Sequence, residues 1–75
     1  MSSYSIGVVK WFNTQKGFGF ISQEQGPDIF VNFRSLVNSN GFLASGRRTL
    51  SQGQKVQFKT VRTLRGLHAR EVVIL

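Results

Sequence analysis

At 75 residues the chain is long enough for one domain and too short for a large core, since a body of this size buries only about 60% of the surface its unfolded chain exposes. It has no cysteine, which excludes disulfide staples and thiolate metal sites and leaves the fold to hold by its apolar core alone. Ten lysines and arginines against three acids, Glu24, Asp28 and Glu71, give a net charge of +7, which selects a polyanionic partner, nucleic acid ahead of an anionic membrane.

After a short polar lead, residues 6–13 are rich in β-formers and end at the polar turn Asn13-Thr14-Gln15. Residues 16–23 form a second strand, and Glu24-Gln25-Gly26-Pro27-Asp28 is dense in turn residues, so the flanking strands should pair as a hairpin. Residues 29–33 form a third strand, with Phe30 and Asn32 on one face and Ile29, Val31 and Phe33 on the other. Residues 34–37 have room for a single helical turn. Residues 38–53, with Gly41, Gly46, Gly53 and the pair Arg47-Arg48, read as a long loop of functional length. Residues 55–61 alternate, Val56 and Phe58 in and Lys55, Gln57 and Lys59 out. Thr63-Leu64-Arg65-Gly66 is a basic turn, and residues 68–75 are the last strand. Short strands at regular spacing, with no helical periodicity over three turns, predict a single all-β domain across residues 1–75, a small barrel. No apolar run approaches a membrane span, and Met1-Ser2-Ser3-Tyr4 does not open a signal peptide, so the expectation is a soluble, cytoplasmic protein.

The functional signal is concentrated in Lys16-Gly17-Phe18-Gly19-Phe20-Ile21. In a strand, Phe18 and Phe20 share one face and Gly19 and Ile21 the other. Glycine weakens a strand, and its usual reason for being there is the close approach of another backbone or a ligand. A flat base laid on adjacent rings beside a cationic lysine is such a ligand. The competing reading is a Phe-rich core strand with a glycine kink.

Gly7-Val8-Val9-Lys10-Trp11-Phe12-Asn13, then Lys16-Gly17-Phe18-Gly19-Phe20-Ile21, then Asp28-Ile29-Phe30-Val31-Asn32-Phe33 resemble the cold-shock domain, and Gly41-Phe42 and Gly53-Gln54-Lys55-Val56-Gln57-Phe58 continue the match in order. The resemblance implies a five-stranded antiparallel β-barrel of the OB type that binds single-stranded RNA and DNA and acts as an RNA chaperone. It implies binding roles for Trp11, Phe18, Phe20, Phe30 and Phe42, with Phe12 and Phe33 secondary, and for the basic Lys10 and Lys16. Parity agrees for Phe18, Phe20 and Phe30. Trp11 shares parity with Val9, a core candidate, and reaches the binding face only if a bulge near Lys10 shifts the register. Parity puts Phe33 in the core, where the resemblance gives it a binding role. Asn32 occupies the position at which the family usually has a stacking histidine. The family's late Gly-Pro is replaced by Gly66-Leu67-His68, and the loop after Phe42 is about five residues longer than in compact bacterial members.

Lys10, Lys16, Arg34, Arg47, Arg48, Lys59 and Arg65 are the candidates for phosphate contacts. If about five phosphates are neutralised, affinity should fall about a hundredfold between about 50 and 200 mM salt. An RNA-recognition-motif fold would need two amphipathic helices that the pattern lacks. An enzyme is not expected: Glu24 and Asp28 share a turn without a third acid, Asp28 is placed as a turn cap, and His68, the lone histidine, reads as a surface strand residue. No metal, cofactor or small-molecule substrate is expected, and no Walker-type glycine loop is present to bind nucleotide. A protein-binding barrel is the remaining alternative. The oligomeric expectation is a monomer, with pairing of two copies through an exposed aromatic face as the alternative.

The basic loop, Leu43 to Gln52, contains no aromatic residue on which to stack a base, so Arg47 and Arg48 should contribute charge rather than base contacts. The Arg47→Ala/Arg48→Ala double variant, titrated with pyrimidine and mixed strands at several salt concentrations, should lower the salt slope by about 1.4 and weaken binding uniformly across sequences. An unchanged slope would leave the two arginines as solvated surface, and a sequence-selective loss would mean that the loop reads bases.

Overall fold

Alternation decides which side of each strand faces inward, and two breaks in it shape this barrel. The structure, a computed structural model, describes residues 4–37 and 49–75. Among the described residues there are five strands, β1 (Ser5–Asn13), β2 (Phe18–Ser22), β3 (Ile29–Asn32), β4 (Lys55–Thr63) and β5 (Gly66–Ile74), with a 3-10 turn, Phe33–Ser35, after β3. They close in the order β1-β2-β3-β5-β4. The pairs β1–β2, β2–β3, β1–β4 and β4–β5 are antiparallel, as expected for an OB-type barrel. Closure itself is made by a parallel contact of β3 with β5, in which Phe30 faces His68. The predicted helical turn is present but begins one residue early, at Phe33, which takes that residue out of the third strand.

The core takes Val9 from β1, Ile21 from β2, Ile29 and Val31 from β3, Val56 and Phe58 from β4, and Ala69 and Val72 from β5. Leu36, after the 3-10 turn, and Leu50, where the chain returns toward β4, complete it. Within β2 and β3 the alternation is regular, with Gly19, Ile21, Ile29 and Val31 buried and Phe18, Phe20, Phe30 and Asn32 half-buried.

The first break lies in β1. Val9 pairs with Ile21 and Trp11 with Phe20, so β1 spends two steps where β2 spends one, and Lys10 is the extra residue of a β-bulge. Val9 is therefore 1% exposed while Trp11, two positions on, is 41% exposed. Val9 is held at the bulge by two backbone bonds to the segment before β4, donating to the Gln54 carbonyl and accepting from Gly53 N–H, each at 2.9 Å. The second break lies in β5. Gln57 pairs with Val73 and Lys59 with Arg70, so β5 takes three steps against two in β4. Ala69 and Val72, three apart and hence on opposite faces of a regular strand, both point into the core. Glu71 absorbs the extra residue with φ 51°, in the left-handed region that non-glycine residues seldom enter. Its carboxylate is clasped from outside by Lys59 Nζ at 3.1 Å and by the Tyr4 hydroxyl at 3.3 Å. The hydrogen bond to Lys59 holds Glu71 below its ordinary carboxylate range and raises Lys59 in turn.

Gly19 shows why β2 alternates ring and glycine. A Cβ there would collide with the Trp11 carbonyl oxygen and lie 2.7 Å from Phe12 Cα, because β1 presses directly on it beside the bulge. Gly19→Ala should accordingly cost about 1–3 kcal/mol or more in chemical denaturation, the range for overpacking a filled site. An unchanged midpoint would show that β1 is not held this close to β2.

Candidate functional site

The outer face carries a row of rings set by strand register. Trp11 on β1 pairs with Phe20 on β2, Phe20 with Phe30 on β3, and Phe30 with His68 on β5. The ring centroids follow at 5.5, 5.7 and 4.9 Å. Phe18 stands in a second row, 5.8 Å from both Trp11 and Phe30, edge-on to the first and stacked at 26° on the second. The result is a continuous, partly solvated aromatic surface across neighbouring strands, an arrangement that suits flat π-faced ligands.

Charge surrounds the rings. Lys10, displaced outward by the bulge, pairs with Asp28 Oδ2 at 2.8 Å just before β3. Asp28 therefore anchors a lysine at the edge of the rings. Lys16 is exposed at the foot of β2, in a turn where Asn13 accepts from Lys16 N–H through its side chain at 2.8 Å and from Gly17 N–H through its carbonyl at 2.7 Å. Arg65, in the turn between β4 and β5, borders a cleft of about 450 Å³ that Phe20, Phe30 and His68 wall on the other side. Lys59 lies away from this surface, occupied with Glu71 and 5.1 Å above the Tyr4 ring.

The remaining predicted residues divide. Phe12 is half-buried and packs against the core beside Gly19. Phe33 also packs against the core. Its ring lies where a Cβ on Gly17 would come within 2.6 Å, and Gly17 adopts φ 77°, so only glycine fits under it. Arg34 covers the Phe33 ring at 5.6 Å. Phe42, Arg47 and Arg48 lie outside the described residues. Two residues of the surface were not foreseen in these roles, His68 and Asp28. The Thr63–Gly66 turn sets His68 opposite Val61 on β4, a register readable from the turn alone, but its contact with Phe30 comes from the long-range closure of the barrel.

The family profile described as the 'Cold-shock' DNA-binding domain matches residues 5–75. The chain is 50% identical to the cold shock-like protein CspG of Shewanella violacea and 48% identical to the major cold shock protein CspA of Pseudomonas aeruginosa, in each case over 100% of both chains. It is 48% identical to the cold shock protein CspC of Bacillus subtilis over 88% of this chain and 91% of that one. Among solved structures, the Drosophila Unr CSD456 chain superposes with a TM-score of 0.74 at 19% identity, covering 99% of this chain. The chain spans 27% of the length of that larger protein, and the likeness is one of fold.

Asn32 has work of its own. At φ −118° and ψ 149° it caps the 3-10 turn, its Oδ1 accepting from Arg34 N–H at 3.0 Å. Asn32→Ala should cost about 1 kcal/mol, as loss of a helix cap does, and lower the thermal midpoint by about 4–8 °C. A midpoint that does not move would leave the side chain free for ligand contact alone.

Proposed function

The chain belongs to the cold-shock domain family and binds single-stranded nucleic acid, and we propose that it is an ATP-independent RNA chaperone that holds unpaired bases on the Trp11–Phe18–Phe20–Phe30 surface. The observation that carries this reading is the set of four partly solvated rings within 6 Å of their neighbours, with Lys10 held to Asp28 and Arg65 bordering the cleft that Asp28, Phe20 and Phe30 line. Base stacking on such faces contributes about 1–3 kcal/mol per base and tolerates any base. The cations supply the phosphate contacts and make binding fall with salt.

Chaperoning follows from mass action. A protein that binds only unpaired strands shifts weak hairpins toward the open form without a nucleotide cycle. Bases in a duplex are stacked on each other and do not reach the rings, so duplex is a poor ligand. Holding RNA open would serve cold adaptation, transcription antitermination or translation control. The reading makes the protein a binder rather than an enzyme, monomeric and cytoplasmic. Two of its three acids, Asp28 and Glu71, are engaged by lysines and poorly placed for acid–base work. Among the described residues no helix is long and apolar enough to cross a membrane.

The test is a titration with a short single strand monitored by Trp11 fluorescence. Binding should quench the emission, and Phe18→Ala and Phe20→Ala should each weaken it by about 1–3 kcal/mol with little loss of fold stability. Loss of stability at unchanged affinity would assign both rings to the core, and tight binding with unchanged emission would remove Trp11 from the contact.

A further inference from the structure

The aromatic row does not stop at β3. Its register runs Trp11, Phe20, Phe30 and then His68, across β1, β2, β3 and β5. The last step, from Phe30 to His68, is the shortest of the three at 4.9 Å between centroids, with the planes tilted at 45°. His68 is half-buried, and the cleft of about 450 Å³ opens beside it, lined also by Phe20, Phe30, Pro27, Asp28, Arg65 and, at the start of β5, Gly66 and Leu67. Room, a flat ring and a neighbouring guanidinium thus meet one strand beyond the last phenylalanine.

The ring is also oriented. Thr63 Oγ1 lies 3.4 Å from His68 Nε2. The single hydroxyl proton of Thr63 goes to the Gly66 carbonyl at 2.9 Å, and Thr63 Oγ1 itself accepts from the Arg65 N–H at 3.1 Å. The hydroxyl therefore accepts from the imidazole, so that Nε2 carries the hydrogen in this contact. This fixes the ring through the β4–β5 turn and leaves Nδ1 without a hydrogen-bond partner among the described residues.

We propose that His68 is the fourth ring of the row and takes one further base of a bound single strand, in the cleft between Phe30 and Arg65. The inference rests on the nucleic-acid-binding reading above. It adds a base contact on β5 to the cation that Arg65 supplies from the β4–β5 turn and lengthens the bound segment by one nucleotide.

The test is the affinity of thymidine homopolymers lengthened one nucleotide at a time, for the unaltered chain and for His68→Ala, His68→Leu and His68→Phe. The unaltered chain should gain about fivefold or more at one length, the low end for a base on an aromatic face. His68→Ala and His68→Leu should lack that step while matching the unaltered chain on shorter strands, and His68→Phe should keep it. His68→Leu preserves apolar bulk against Phe30, so its result stands if His68→Ala folds poorly. An equal loss at every length, an intact step without the ring, or a step lost in His68→Phe would each overturn the assignment. If the unaltered chain bound no homopolymer, the nucleic-acid reading itself would fail, whereas binding with no step that depends on His68 would remove only this inference.

Discussion

One extra residue in β1 organises the aromatic face. A regular strand would send Trp11 to the same side as Val9, into the barrel, and would leave Lys10 outside with Val8 and Phe12. The bulge at Lys10 divides the strand instead, so that Val9 is 1% exposed and Trp11 41% exposed. The same displacement brings Lys10 to Asp28 at 2.8 Å, beside the rings rather than among them. Without the bulge the ring row would begin at Phe20, and its cation would have no fixed place.

The second bulge, at Glu71, does for the core what the first does for the surface. It turns Val72 inward together with Ala69, while His68, in the regular part of β5 before the bulge, meets Phe30. A small barrel with no disulfides has little stability to spare, on the order of 4–11 kcal/mol for this length. An exposed ion pair such as Lys59–Glu71 adds little to that, because solvent screens it. The stability rests on the fully buried aliphatics and Phe58, and the rings of the outer face stay outside that core.

What the sequence made legible followed from the period of two. Phe18 and Phe20 against Gly19 and Ile21, and Phe30 against Ile29 and Val31, sort to their faces by counting alone, and the structure agrees at each position. The exit of Phe33 from the third strand is half legible: parity places it at the core, where it does pack, but the 3-10 turn that seats it on Gly17 begins one residue before the turn the pattern predicts. A bulge was the condition for an exposed Trp11, yet nothing local to Lys10 announces one, since it depends on how β1 leaves β4 and joins β2. Leu50 looked like loop and is core, because an isolated leucine between polar residues has no period to betray it. The place of His68 beside Phe30 depends on a parallel contact between strands more than thirty residues apart, which no window along the chain can show.

The central claim is that bases lie on the solvent-facing rings rather than against the basic surface alone. It is tested most directly by nuclear Overhauser contacts in the complex with a single-stranded oligonucleotide. The account predicts contacts from base protons to the ring protons of Trp11, Phe18, Phe20 and Phe30. Base protons that contact only lysine and arginine side chains, or only the core-packed Phe12 and Phe33, would contradict it.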